Sequence, residues 1–110
     1  MISRYSILLT EGASQDLGAI YDYIAEVDDP ANADDFLDRL VATIEQLGVM
    51  PERGSYPSEL LDLGIKDYRH VFSRPYRVIY RVMEREVTVF VIADGRRNMQ
   101  SLLERRLLGV

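Results

Sequence analysis

Residues 68–97 read YRHVFSRPYRVIYRVMEREVTVFVIADGRR, and this stretch decides the fold. Apolar and polar residues alternate along roughly 68–73, 76–83 and 86–92, which predicts three β-strands. Glu84-Arg85 is a link short enough to close the last two strands into a hairpin. On the middle strand Val78, Tyr80 and Val82 share one face, and Arg77, Ile79 and Arg81 share the other. On the last strand Val87, Val89 and Val91 alternate with Thr88, Phe90 and Ile92, so both faces are apolar. That is the signature of a strand central in its sheet.

Upstream, Tyr5 to Thr10 reads as a short opening strand. Thr10 is a good helix cap, and Ala13, Leu17, Ile20, Ile24 and Val27 follow at helical spacing. Asp28-Asp29-Pro30 breaks that run and starts a second helix, with Asp29 as cap and Pro30 in its first turn. Ala33, Phe36, Leu37, Leu40, Ile44 and Leu47 form its apolar face, and Gly48 and Pro51 end it. Residues 48–67 are punctuated by Pro51, Gly54, Pro57 and Gly64 and read as a loop with one helical turn around Glu59 to Leu63. Downstream, Asp94-Gly95 turns the chain, and Met99, Leu102, Leu103 and Leu107 mark a short C-terminal helix. The order predicts one α+β domain over residues 1–110. A strand is followed by an antiparallel helical hairpin, packed on one face of a mostly antiparallel sheet (β-α-α-β-β-β), and by the short terminal helix. The opposite sheet face, carrying Arg77 and Arg81, is the expected working surface.

Charge is unevenly spread. Residues 1–67 carry Arg4, Arg39, Arg53 and Lys66 against 14 acids, whereas residues 68–110 carry nine arginines against Glu84, Glu86, Asp94 and Glu104. This predicts a basic face on an acidic body of net charge −5. Arginine binds carboxylate and phosphate with a planar fork, so an anionic partner is implied. Taken singly, each arginine is also compatible with a solvated surface. The absence of cysteine excludes disulfides and thiolate metal sites. With one histidine, His70, only carboxylates remain for a metal, and the Asp28-Asp29 and Asp34-Asp35 pairs lie at helix starts, where aspartate is favoured without any ion. No metal and no cofactor are expected. There is no phosphate loop, nucleophile elbow or dinucleotide fingerprint. No apolar run approaches the roughly 20 residues that span a bilayer, so a cytoplasmic protein without membrane contact is expected.

Four features, taken together in order, resemble the RelE/ParE superfamily of type II toxin–antitoxin toxins. They are Leu9-Thr10 with Ala13, Asp16-Leu17 and Tyr23-Ile24; Leu47 with Pro51; Tyr68-Arg69 with Pro75-Tyr76-Arg77-Val78-Ile79-Tyr80; and a valine-rich strand running into Gly95-Arg96-Arg97. The resemblance implies a cognate antitoxin and one of two activities. RelE-like members cleave messenger RNA on the ribosome; ParE-like members poison DNA gyrase.

Under the ribonuclease alternative Arg77, Arg97 and Arg69 would be the catalytic residues, since Arg77 and Arg97 match phosphate-stabilising positions of the RelE branch. Other matches fail. Where RelE-like enzymes have a lysine pair this chain has Arg69 and Val71; Asp94 replaces a histidine of many relatives; and no tyrosine or histidine follows Arg97. Arginine is a poor general base, and His70 is expected as a core or rim residue. The ParE-like reading needs none of the missing groups. It is therefore preferred: a gyrase poison that works by binding, with Arg69, Arg74, Arg77, Arg81, Arg96, Arg97, Met99, Leu102, Leu103, Arg105 and Arg106 as partner-binding residues. Deleting residues 98–110 is then expected to abolish toxicity and leave a folded domain. A non-toxic antitoxin-binding module is the third reading.

Overall fold

The computed structural model describes residues 4–109. The elements are β1 (Ser6–Leu9), α1 (Glu11–Val27), α2 (Pro30–Gln46), α3 (Ser58–Leu61), β2 (Arg69–Ser73), β3 (Tyr76–Met83), β4 (Glu86–Asp94) and α4 (Met99–Leu108). The four strands form one sheet in the order β1-β4-β3-β2. β2, β3 and β4 are antiparallel, and β1 lies parallel to β4. β4 is therefore interior, as its two apolar faces predict.

Local chemistry sets the boundaries. Thr10 Oγ1 accepts the Ala13 N–H at 3.1 Å and opens α1. Asp29 Oδ1 accepts the Asn32 N–H at 2.9 Å ahead of Pro30 and opens α2. Asn98 caps α4 through the Ser101 N–H, and Gly109 closes it in the left-handed conformation. Glu84, at φ 56°, carries the β3–β4 turn in a region that an L side chain occupies only at a cost.

The sheet has two cores. On one face α1 and α2 bury Ala13, Phe36, Leu40, Ile44 and Leu47 against Val71, Val78, Tyr80, Val87, Val89 and Ile92. On the other, Leu60 of α3 and Met99, Leu102 and Leu103 of α4 bury Ile79, Val91 and Ala93. The second face is thus covered, not an open cationic surface. The sequence pattern shows the apolar stripe of α4 but not which surface it covers.

The regular alternation expected along β4 is also interrupted. Tyr80 pairs with Val89 but Ile79 pairs with Val91, so Phe90 is an extra residue in a β-bulge. Val87, Val89 and Ile92 consequently face α1 and α2, whereas Val91 and Ala93 face α3 and α4.

Residues 47–57 are fastened to the sheet by the side chains of Tyr80 and Arg69. The Tyr80 hydroxyl donates to the Pro51 carbonyl at 2.7 Å and accepts the Gly54 N–H at 3.0 Å. A Cβ at Gly54 would stand 2.5 Å from the His70 carbonyl oxygen and 2.7 Å from the Tyr80 hydroxyl, so only glycine permits this approach. The loop then reaches β2, where the His70 N–H donates to the Ser55 carbonyl at 2.8 Å.

Candidate functional site

The arginines of the C-terminal part fall into two groups. The first is paired with carboxylates of the same chain. Arg77, in register with Phe72 of β2 and Ala93 of β4, is only 6% exposed. Its Nη1 and Nη2 donate to the two oxygens of Glu59 at 2.8 and 3.0 Å, a bidentate pair with the short helix α3. Nη2 also lies 2.8 Å from His70 Nδ1. Since a guanidinium only donates, Nδ1 accepts and the imidazole proton sits on Nε2. The hydrogen bonds from Arg77 hold the Glu59 carboxyl below its ordinary value near 4.5. Burial, then the Arg77 charge, holds His70 below 6.5. The Arg77 Nε–H is buried without a partner.

Arg106 of α4 makes a second bidentate pair, its Nη1 and Nη2 each 3.0 Å from an Asp16 oxygen on α1. Nη2 also donates to the Phe90 carbonyl at 3.1 Å, and Asp16 Oδ2 accepts the Ile92 N–H at 3.0 Å. A Cβ at Gly12 would come within 2.7 Å of Arg106 Nη2, so the missing side chain there makes room for the guanidinium.

Arg69 donates to the Gly54 carbonyl at 2.8 Å and to the Tyr56 hydroxyl at 3.1 Å, and lies 3.7 Å from Glu52. Arg81 faces Asp67 at 3.4 Å. Arg96 and Asp94 pair within the turn after β4, and Asp94 also accepts the Arg96 backbone N–H. Those bonds from Arg96 bring the Asp94 carboxyl down to about 2.

Arg74, Arg85, Arg97 and Arg105 form the other group: they are exposed, and no carboxylate pairs with them among the described residues. Arg74 lies 5.3 Å over the half-exposed ring of Phe72. Met99, Leu102 and Leu103 are buried in the second core and offer no surface to a partner in this conformation. Removing residues 98–110 would strip that core, so the expectation that the truncated domain stays folded does not agree with the packing.

Chemically, the set is stronger in anion binding than in proton transfer. His70 is the sole imidazole, and its Nδ1 is taken up by Arg77. Burial raises the Tyr76 and Tyr80 phenols, which weakens both as acids. Among the described residues no three metal-ligating side chains converge.

Glu59 and Asp16 are the residues that sequence reasoning missed as site partners. Asp16 sits three residues after Ala13 and four before Ile20, on the apolar stripe of α1. A carboxylate there signals a buried ion pair. Glu59 gave a weaker signal, an acid within Ser-Glu-Leu-Leu between two loop prolines and a glycine.

A groove of about 470 Å³ runs between α1 and the turn after β4, lined by Asp16, Ala19, Ile20, Tyr23, Tyr76 and Arg97 among others. No helix among the described residues is long and apolar enough to cross a membrane.

Comparison with known proteins adds three findings. No curated protein matches the chain. A solved structure titled "Chromosomal ParDE TA system from P. aeruginosa" is similar at a TM-score of 0.69 and 26% identity, covering 83% of this chain and 96% of that one. Residues 7–99 match the family described as "ParE toxin of type II toxin-antitoxin system, parDE". From Ile7 on β1 to Met99 at the start of α4, that match takes in the helical hairpin, the whole sheet and the turn bearing Arg96 and Arg97, and the chain belongs to the ParE toxin family of type II toxin–antitoxin systems.

Proposed function

We propose that this chain is a cytoplasmic toxin that acts by gripping a macromolecular target, DNA gyrase on cleaved DNA, and that a cognate antitoxin neutralises it. One observation carries the reading: the Arg77 fork is filled by Glu59 of the same chain. A ribonuclease working without metal needs cations free to meet the charge that develops on phosphorus, and a base within reach of the 2′-hydroxyl. Here the most buried arginine is neutralised internally, and the imidazole beside it is engaged. A gyrase poison needs neither group; it has only to bind the cleaved complex more tightly than the resealed one. The C-terminal arginines left for such a surface are Arg97 and Arg105 around α4, with Arg74 at the β2–β3 turn and Arg85 at the β3–β4 turn. The family and the similarity to a structure of a ParDE system support the antitoxin.

The test is a supercoiling and cleavage assay with purified gyrase, run beside Arg97→Glu and Arg105→Glu, which alter exposed residues and leave the second core intact. Wild type is expected to block supercoiling and to accumulate cleaved DNA, with both variants weaker. Cleavage of ribosome-bound messenger with no effect on gyrase would replace this reading by the ribonuclease. No effect on either would leave an antitoxin-binding module.

A further inference from the structure

The groove between α1 and the end of β4 carries an unusual pair of free main-chain groups. β1 stops at Leu9, whereas β4 runs on to Asp94. On the uncovered edge Arg106 bonds the Phe90 carbonyl and Asp16 bonds the Ile92 N–H. Residues of a strand point their N–H and C=O alternately to its two sides. With the Ile92 N–H outward, the Ile92 C=O and the Asp94 N–H are outward as well, and no group among the described residues bonds either. An acceptor and a donor thus stand side by side in the wall that Ile92, Ala93 and Asp94 give the groove.

This pair is the main-chain counterpart of a side-chain amide, which reads adenine by accepting from the N6 amino group and donating to a ring nitrogen. Other bases also present a donor beside an acceptor, so the surroundings decide among them. Guanine, cytosine and uracil each bring a second exocyclic polar group that needs a partner of its own. Adenine brings only one. Around the pair the groove offers Ala19, Ile20, Ile92 and Ala93, whose side chains can satisfy no further polar group. Two phenol rings, Tyr23 of α1 and Tyr76 of β3, complete the lining, and Tyr23 leaves 63% of its surface open for stacking. At about 470 Å³ the space lies in the range of small-ligand sites.

The electrostatics limit the size of the ligand. Asp16 and Asp94 are neutralised by Arg106 and Arg96, while Arg97 lines the groove with no ion-pair partner among the described residues. One surplus guanidinium matches one phosphate. A long polyanion would meet a body of net charge −5. We propose that the groove binds an adenine mononucleotide. The base pairs with the Ile92 C=O and the Asp94 N–H and stacks on Tyr23, and the phosphate meets Arg97. This goes beyond the reading above and does not depend on the gyrase target.

The test titrates the full-length toxin, followed by NMR, with AMP and in parallel with adenosine, GMP, CMP, UMP and single-stranded oligo-dA. AMP is expected to bind, to shift the Asp94 amide, and to be preferred over each other mononucleotide by about tenfold or more, or roughly 1.4 kcal/mol. Arg97→Ala is expected to weaken AMP by a similar factor and to leave adenosine unchanged. Ala19→Tyr, which fills the groove from the exposed face of α1, is expected to block both ligands, and Glu11→Gln, outside the groove, neither. Thermal melts of the three variants are expected to match wild type. The proposal is overturned if AMP does not bind, if the four mononucleotides bind equally, if the Asp94 amide does not move, if Arg97→Ala weakens adenosine as much as AMP, or if oligo-dA binds more tightly than AMP. The gyrase reading survives each of these results, since the cleavage assay decides it separately.

Discussion

The two faces of the sheet are sealed by different means. The α1/α2 face is closed by a broad apolar layer. Leu40 and Leu47 are fully buried, and the aromatic rings of Phe36 and Tyr76 meet edge-on at 4.9 Å. The α3/α4 face has a smaller core, and one bidentate arginine–carboxylate pair fastens each of its helices: Arg77 with Glu59 of α3, and Arg106 of α4 with Asp16. Apolar burial has no sharp dependence on pH or salt. Ion pairs do, and breaking one leaves a buried charge behind. The face beneath α4 is therefore the one whose closure solution conditions can weaken.

The largest loss is expected at Leu40, in the apolar layer. Leu40→Ala is expected to cost about 3–4 kcal/mol in urea unfolding, nearly the same at pH 5 and 7.5 and at low and high salt. A strong pH dependence of that cost would mean that the two faces are not sealed differently.

Glu59→Ala is expected to cost about 2–3 kcal/mol, a little below the range for fully buried pairs because Glu59 keeps 20% of its side chain exposed. Replacing both partners, Glu59→Leu with Arg77→Met, is expected to recover most of that loss. A double-mutant cycle with no coupling would make the pair incidental. The same site sets a pH signature. His70 is held neutral in the fold, below its ordinary 6.5, so on acidification the unfolded chain takes up that proton first. Stability is therefore fully present above pH 6.5 and begins to fall below it. Glu59, also depressed, adds a second loss below pH 4.5. His70→Asn, which offers an acceptor near the Nδ1 position without titrating, is expected to remove the first loss and keep the second in pH-dependent melts.

Asp16→Ala leaves the Ile92 N–H without its acceptor and Arg106 without its carboxylate, at an expected cost of about 2 kcal/mol. Its measure is the gap from wild type at low salt and at 1 M, where screening should narrow it. The smallest effect lies outside both faces. Glu84→Gly relieves the positive φ of the hairpin turn and is expected to stabilise the domain by about 0.5–1 kcal/mol, read as a raised urea midpoint.

What the sequence made legible follows the same division. The helical stripes from Ala13 to Leu47, the Thr10 and Asp29 caps and the β3–β4 hairpin are local signals of period and capping, and each appears where it was read except at Val27, which ends α1 exposed. The parallel pairing of β1 with β4 is long-range and leaves no local mark. The fate of the arginines was illegible for a related reason. Arg77 looks the same in sequence whether it meets solvent or a carboxylate 18 positions upstream. Only the folding of α3 over the sheet decides it.

Phe90 makes β4 a sentence read in two frames. Ahead of this surplus residue the odd-numbered valines look toward the helical hairpin; after it, Val91 looks the other way and Ile92 takes over that duty. Excising Phe90 would make the ladder regular and leave Val91 on the side of the terminal helix and Ile92 on that of the hairpin; ironing the bulge flat with Phe90 kept would make the two exchange sides. A single supernumerary residue thus assigns the end of one strand to both halves of the molecule.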